Sequence, residues 1–131
     1  MIKLNPSEHY EQITVVQWAE RCGITLFAVP NGGKRSLRTA IQLKREGVRA
    51  GAPDLVLVNL APSNGKPTMI EMKRRKGAQY SPEQIALHAV ARAEGWNVIA
   101  PPSGSSARWV IEQLQALGYG RRVQSNGAIA A

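Results

Sequence analysis

Asp54 and the pair Glu71 and Lys73 are the residues of this chain whose types and spacing could do chemistry. Asp54 is the only aspartate in the sequence and directly follows Pro53; seventeen residues later comes Glu71, within Met69-Ile70-Glu71-Met72-Lys73. Side chains alternate across a strand, so Glu71 and Lys73 share one face, roughly 6.6 Å apart at about 3.3 Å per residue. Ile70 and Met72 point the other way, into apolar packing. Two carboxylates and an ammonium gathered at one point bind a divalent metal and polarise a phosphodiester. Pro-Asp alone is common at strand starts, and Glu-x-Lys alone is common on solvated strand faces. The combination carries the signal, because a glutamate flanked by Met69, Ile70 and Met72 in a core strand is costly unless paired or metal-bound. The chemistry expected of these residues is metal-dependent phosphodiester hydrolysis.

The elements around them must bring them together. Leu55 to Val58 is a continuous apolar run, as for a strand buried on both faces. Pro53 cannot donate to a ladder and marks the strand's first edge, so Asp54 sits at the strand's mouth. Residues 61–67, Ala-Pro-Ser-Asn-Gly-Lys-Pro, form a turn-rich connection. A hairpin there sets Asp54 beside Glu71 and Lys73.

Ser7 is a helix cap after Pro6, opening a helix over 8–21 that Gly23 ends. Glu8, Gln12, Val15 and Ala19 fall on one stripe of it, and Glu11, Val15, Trp18 and Cys22 on the next. Glu8 heads a core-facing stripe and can reach a site on the sheet beneath, or simply complement the helix dipole; Glu11 is its rival. A short strand is expected over 24–29, a turn at Pro30-Asn31-Gly32-Gly33, and a basic helix over 34–46 with Leu37, Ile41 and Leu43 as its thin apolar face. Arg74-Arg75-Lys76-Gly77 is a basic loop. Ser81-Pro82-Glu83-Gln84 has the cap, proline and acid of a helix start, running to about residue 94. A strand over 96–100 and a helix over 106–117 follow. The chain thus reads as one α/β domain over 1–117 with a flexible tail over 118–131. Without the inserted basic helix the order is α-β-β-β-α-β plus a closing helix, a sheet flanked by helices.

A length of 131 residues with 44% apolar content suits one globular domain with a real core. No long apolar run exists, so no membrane span is expected. Residues 1–6 lack a signal-peptide core, so a cytoplasmic protein is expected. Cys22 is the single cysteine, which excludes an internal disulfide and a cysteine-rich zinc site. His9 and His88, far apart in sequence, read as surface or packing residues rather than metal ligands. The net charge is +8, and the segment from Lys34 to Lys76 holds eleven Lys or Arg against three acids, which accounts for all of it. The surplus therefore surrounds Asp54 and Glu71, the footprint of a polyanionic partner. Asn31, Gly32, Gly33, Lys34, Arg35, Arg38, Arg49, Arg74, Arg75 and Lys76 are candidates to hold a phosphate backbone, contacts that position a substrate without reading its sequence.

The element order, with Asp54 on the second strand and Glu71-x-Lys73 on the third, resembles the PD-(D/E)xK nuclease superfamily and its restriction-endonuclease-like core. Four blocks narrow the resemblance: Pro30-Asn31-Gly32-Gly33-x-Arg35; Leu43-Lys44-x-Glu46-Gly47-Val48-x-Ala50-Gly51-x-Pro53-Asp54; Ile70-Glu71-Met72-Lys73; and Ser81-Pro82-Glu83-Gln84. In this order they are similar to the VRR-NUC family, the virus-type replication-repair nucleases, and cover the chain to about Leu117. Ala52 stands where valine is frequent in that family. The resemblance implies Asp54 and Glu71 as ligands to Mg²⁺ or Mn²⁺, with Glu8 matching the helix-one glutamate. It implies that Lys73 orients the attacking water or stabilises developing charge, and that Gln84 is the helix glutamine near the site. It also implies a DNA endonuclease, structure-selective on branched DNA such as four-way (Holliday) junctions in replication, recombination or repair, acting as a homodimer. Stand-alone members of this length are typical of phages and bacteria. The rival expectation is a non-catalytic basic nucleic-acid-binding module; a ribonuclease on the same scaffold has no residue here to select RNA.

Overall fold

The computed structural model describes residues 7–30, 36–73, 79–102 and 105–120. The order is α1 (Glu8–Arg21), β1 (Leu26–Ala28), α2 (Leu37–Arg45), β2 (Leu55–Leu57), β3 (Thr68–Ile70), α3 (Pro82–Ala93), β4 (Asn97–Ile99) and α4 (Ala107–Ala116). Four strands form one mixed sheet in the order β1-β2-β3-β4. The first two pairings are antiparallel and β3 with β4 is parallel. A parallel pair cannot close through a tight turn, and α3 is the crossover between its strands.

Local chemistry explains the helix starts. Ser7 accepts a bond from the Tyr10 amide at 3.1 Å, and Ser36 accepts one from Thr39 at 3.1 Å. Ser81 and Gln84 form a reciprocal capping box with Pro82 at the first position. Ser36 has extended backbone as the cap of α2, so that helix opens at Leu37 rather than at residue 34. No residue of α2 is buried.

Strand alternation sorts the core. Leu55, Leu57, Ile70, Met72 and Ile99 join Val15 and Ala19 of α1 and Val110 and Leu114 of α4 in one apolar cluster. Val56 is only half-buried and Val58 is exposed, which corrects the expectation of a strand buried on both faces. The reason is that residues of α1 and α4 pack on one face of β2, whereas α3, on the other face, packs toward β4, beyond β3 and its buried Met69. The ladder of β3 ends at Ile70, but the Glu71 amide still donates to the Ile99 carbonyl at 2.9 Å. Glu71 therefore remains registered on the sheet.

The packed chain continues past residue 117, where the tail is expected. Gly118 turns at φ 94°, and Tyr119 is buried with its hydroxyl 2.9 Å from Thr68 Oγ1 and 2.7 Å from the Asn59 carbonyl. Among the described residues, no helix is long and apolar enough to cross a membrane.

Candidate active site

Register places the carboxylates together. Leu55 pairs with Ile70, so Asp54 lies opposite Glu71 on the face that α3 covers. The Asp54 backbone is held on both sides: its amide donates to the Ile70 carbonyl at 3.0 Å, and its carbonyl accepts from the Val29 amide at 2.9 Å. Its carboxylate accepts from the Met72 amide at 2.6 Å through Oδ2.

Glu71 is 3% exposed. Its Oε1 lies 3.3 Å from His88 Nε2. Burial, a hydrogen bond with Asp54, the charge of Asp54 and the charge of Glu8 push its carboxyl up to about 9, against the opposing pull of Lys73. Two facing carboxyls in a poorly solvated place repel one another, which favours the protonated form of Glu71. His88 is buried, and its pKa is lowered by burial and by the charges of Arg92 and Lys73. Tyr80 stands edge-on to the His88 ring at 5.6 Å, and its hydroxyl donates to the Pro101 carbonyl. Burial, then the charges of Glu71 and Asp54, raise its pKa.

Lys73 Nζ donates to the Gln79 carbonyl at 2.9 Å and to Gln84 Oε1 at 3.3 Å, and lies 4.7 Å from the Tyr80 ring centroid. The same Gln84 oxygen accepts the Ser81 amide at 2.8 Å, so one side chain caps α3 and holds the lysine. Glu8 and Glu11 part company. Glu8 acts electrostatically on Glu71, whereas buried Glu11 accepts the Ala107 amide at 2.6 Å through Oε2 and caps α4. Ser106, at the cap position of α4, makes no side-chain capping bond of its own.

Asp54, Glu71, Lys73 and Gln84 are thus brought together, with the charge of Glu8 bearing on them. Arg38 and Arg49 are exposed outside this cluster. Asn31, Gly32, Gly33, Lys34, Arg35, Arg74, Arg75 and Lys76 lie outside the described residues. Sequence reading misses His88 and Tyr80 as site neighbours; the available signal is that His88 follows Gln84 by one helical turn. It also misses a backbone approach. Gly51, at φ 87°, packs on the start of α3, where a Cβ would strike the Glu83 carbonyl group and lie 2.9 Å from the Gln84 amide nitrogen.

Among the described residues, no group of three His, Cys, Asp or Glu forms a complete ligand set. The donor chemistry nevertheless fits a hard divalent cation. Two carboxyls face each other there, and a cation that prefers oxygen ligands relieves their repulsion.

A pH dependence follows. The folded state keeps a Glu71 proton that the unfolded chain releases above its ordinary value of 4.5, so this contribution is complete at low pH and is lost as pH rises toward about 9. His88, lowered from 6.5, acts in the opposite sense, as pH falls through that value. In chelator, denaturant unfolding should therefore show stability falling between about pH 7 and 9, and Glu71→Gln should flatten that slope. A wild-type slope of zero, or one unchanged by Glu71→Gln, contradicts a raised Glu71 pKa.

The model of the VRR-NUC domain family matches residues 2–100. A solved structure described as a VRR_NUC domain protein is similar with a TM-score of 0.63 at 23% identity, over 88% of this chain and 93% of that one. No curated protein matches.

Proposed function

The chain belongs to the VRR-NUC domain family, and from that premise we propose that it is a Mg²⁺- or Mn²⁺-dependent DNA endonuclease with its site at Asp54, Glu71 and Lys73. Family membership implies a nuclease-type function. The observation that carries the finer reading is the buried Glu71 carboxyl facing Asp54, with Lys73 alongside. A pure binding module has no reason to bury Glu71 against Asp54 and Lys73. On this reading the sheet and its flanking helices are a PD-(D/E)xK core with α2 inserted.

Asp54 and Glu71 would hold the cation, with Glu8 adding negative charge nearby. The cation, when bound, acidifies a water and stabilises charge on the scissile phosphate. Lys73 supplies a fixed positive charge where negative charge develops, or orients the attacking water. Gln84 fixes the lysine by accepting from it. The Tyr80 ring and the Gln79 carbonyl limit where the ammonium can go.

The basic surplus would hold DNA by its backbone. Arg38→Ala and Arg49→Ala should weaken binding to all sequences alike, each lowering the salt slope of log affinity by about 0.9 on duplex DNA. A sequence-selective loss, or an unchanged slope, argues against phosphate contacts. Branched DNA is the proposed substrate. Four-way junction, flap, nicked and linear DNAs incubated with Mn²⁺ test it: faster cutting of the junction is expected, and equal rates on all four reject the preference. Binding without cutting of any of them would favour the non-catalytic module.

A twofold homodimer would set two such sites symmetrically on a junction. Trp18 and Trp109 are partly buried and pack against the core. Exposed Phe27, Val58 and Leu60 at the β1–β2 side of the sheet offer apolar surface. Light scattering at micromolar concentration should give twice the 14.2 kDa chain mass; the single-chain mass rejects the dimer.

A further inference from the structure

We propose that His88 is a positioning residue for Glu71, and that α3 grips both ends of Glu71-x-Lys73 with two side chains one turn apart. The proposal rests on the reading of Asp54 and Glu71 as a cation site. Gln84 and His88 are four residues apart on α3, about 6 Å along its axis at about 1.5 Å per residue. Glu71 and Lys73 are two residues apart on extended chain, about 6.6 Å. The two repeats match, and the contacts pair in order: Gln84 Oε1 with Lys73 Nζ at 3.3 Å, and His88 Nε2 with Glu71 Oε1 at 3.3 Å.

The histidine is itself held. It is 4% exposed, and Tyr80 meets its ring at 75°. The hydroxyl of Tyr80 is anchored on the Pro101 carbonyl, just beyond β4. In the tautomer that donates from Nε2, His88 occupies one carboxylate oxygen of Glu71. That fixes the rotation of the carboxylate plane and leaves the second oxygen for the space shared with Asp54. A carboxylate free to rotate would lose this orientation each time a cation binds. Outer hydrogen bonds of this kind orient metal ligands generally.

Mn²⁺ binding by titration calorimetry on the full chain tests the assignment, using wild type, His88→Leu and His88→Gln. The glutamine amide nitrogen reaches where Nε2 stands and can donate; leucine fills space and cannot. Weakening by about 10–100-fold is expected for leucine, and no more than about threefold for glutamine. A residue that merely packs would show the reverse order, since leucine is the better apolar filler. Leucine binding Mn²⁺ as wild type does, or the two variants equally impaired, overturns the proposal. Thermal unfolding without metal establishes that each variant folds. Should leucine not fold, glutamine alone decides: near wild-type affinity supports the role and a tenfold loss rejects it. Wild type failing to bind Mn²⁺ would instead remove the cation site, a separate result.

Discussion

Alanine at Glu71, Asp54 or Lys73 should each lower DNA cleavage by about three orders of magnitude or more, the scale of losing a preorganised charge from a reacting centre. DNA affinity should stay near wild type, because each variant keeps at least ten of the eleven basic residues between Lys34 and Lys76. The division is sharpest for Glu71→Gln. That side chain keeps its shape and its contact with His88, but can neither hold a cation through a charged oxygen nor repel Asp54. At about pH 8 in chelator, Glu71→Gln should be at least as stable as wild type, because it removes a buried group whose ionisation is opposed. Loss of cutting together with retained or increased stability marks a residue kept for chemistry. Wild-type turnover in any of the three alanine variants removes that residue from the site.

Gly51→Ala is the second large effect, although the residue has no functional group. At φ 87° an alanine costs about 1–2 kcal/mol, and its Cβ meets the backbone of Glu83 and Gln84, not a side chain that can swing away. Overpacking of that kind adds about 1–3 kcal/mol. The strain falls between Asp54 and the helix that carries Gln84 and His88, so it pushes the two halves of the site apart. A displacement of about 1 Å costs a rate of about a hundredfold. Gly47→Ala is the control. Its φ is also positive, at 104°, but a Cβ there meets nothing within 4 Å. It should lose about 1–2 kcal/mol of stability and no activity. Equal activity losses in the two variants would mean that backbone strain alone, not the approach to α3, is responsible.

Much of the site is legible in the chain because it depends on two neighbouring strands. Pro53 ends a strand edge, the turn over 61–67 closes a hairpin, and alternation sets Asp54 opposite Glu71. Each step uses residues within about one hairpin of one another. What is not legible depends on the crossover. His88 is a site neighbour only because α3 crosses from β3 to β4, and its place one turn after Gln84 is the sole local hint of which face of that helix turns inward. The apolar run at Leu55–Val58 misleads for a similar reason, since hydrophobicity does not report how far a helix extends over the opposite face. Glu11 and Glu8 are indistinguishable by helical stripe. They separate only when α4, 96 residues along the chain, brings its uncapped start to Glu11. Tyr119 sits among glycines that read as the start of a tail, yet its hydroxyl is fixed on Thr68 and Asn59.

Nicking of supercoiled plasmid DNA decides whether Asp54, Glu71 and Lys73 form a cation-dependent phosphodiesterase centre. Wild type and Glu71→Gln are incubated side by side with Mn²⁺, with Mg²⁺ and with chelator. Relaxed or linear product is expected from wild type with at least one of the two cations, none in chelator, and none from Glu71→Gln under any condition. Cutting that persists in chelator, or that Glu71→Gln performs as well as wild type, contradicts it.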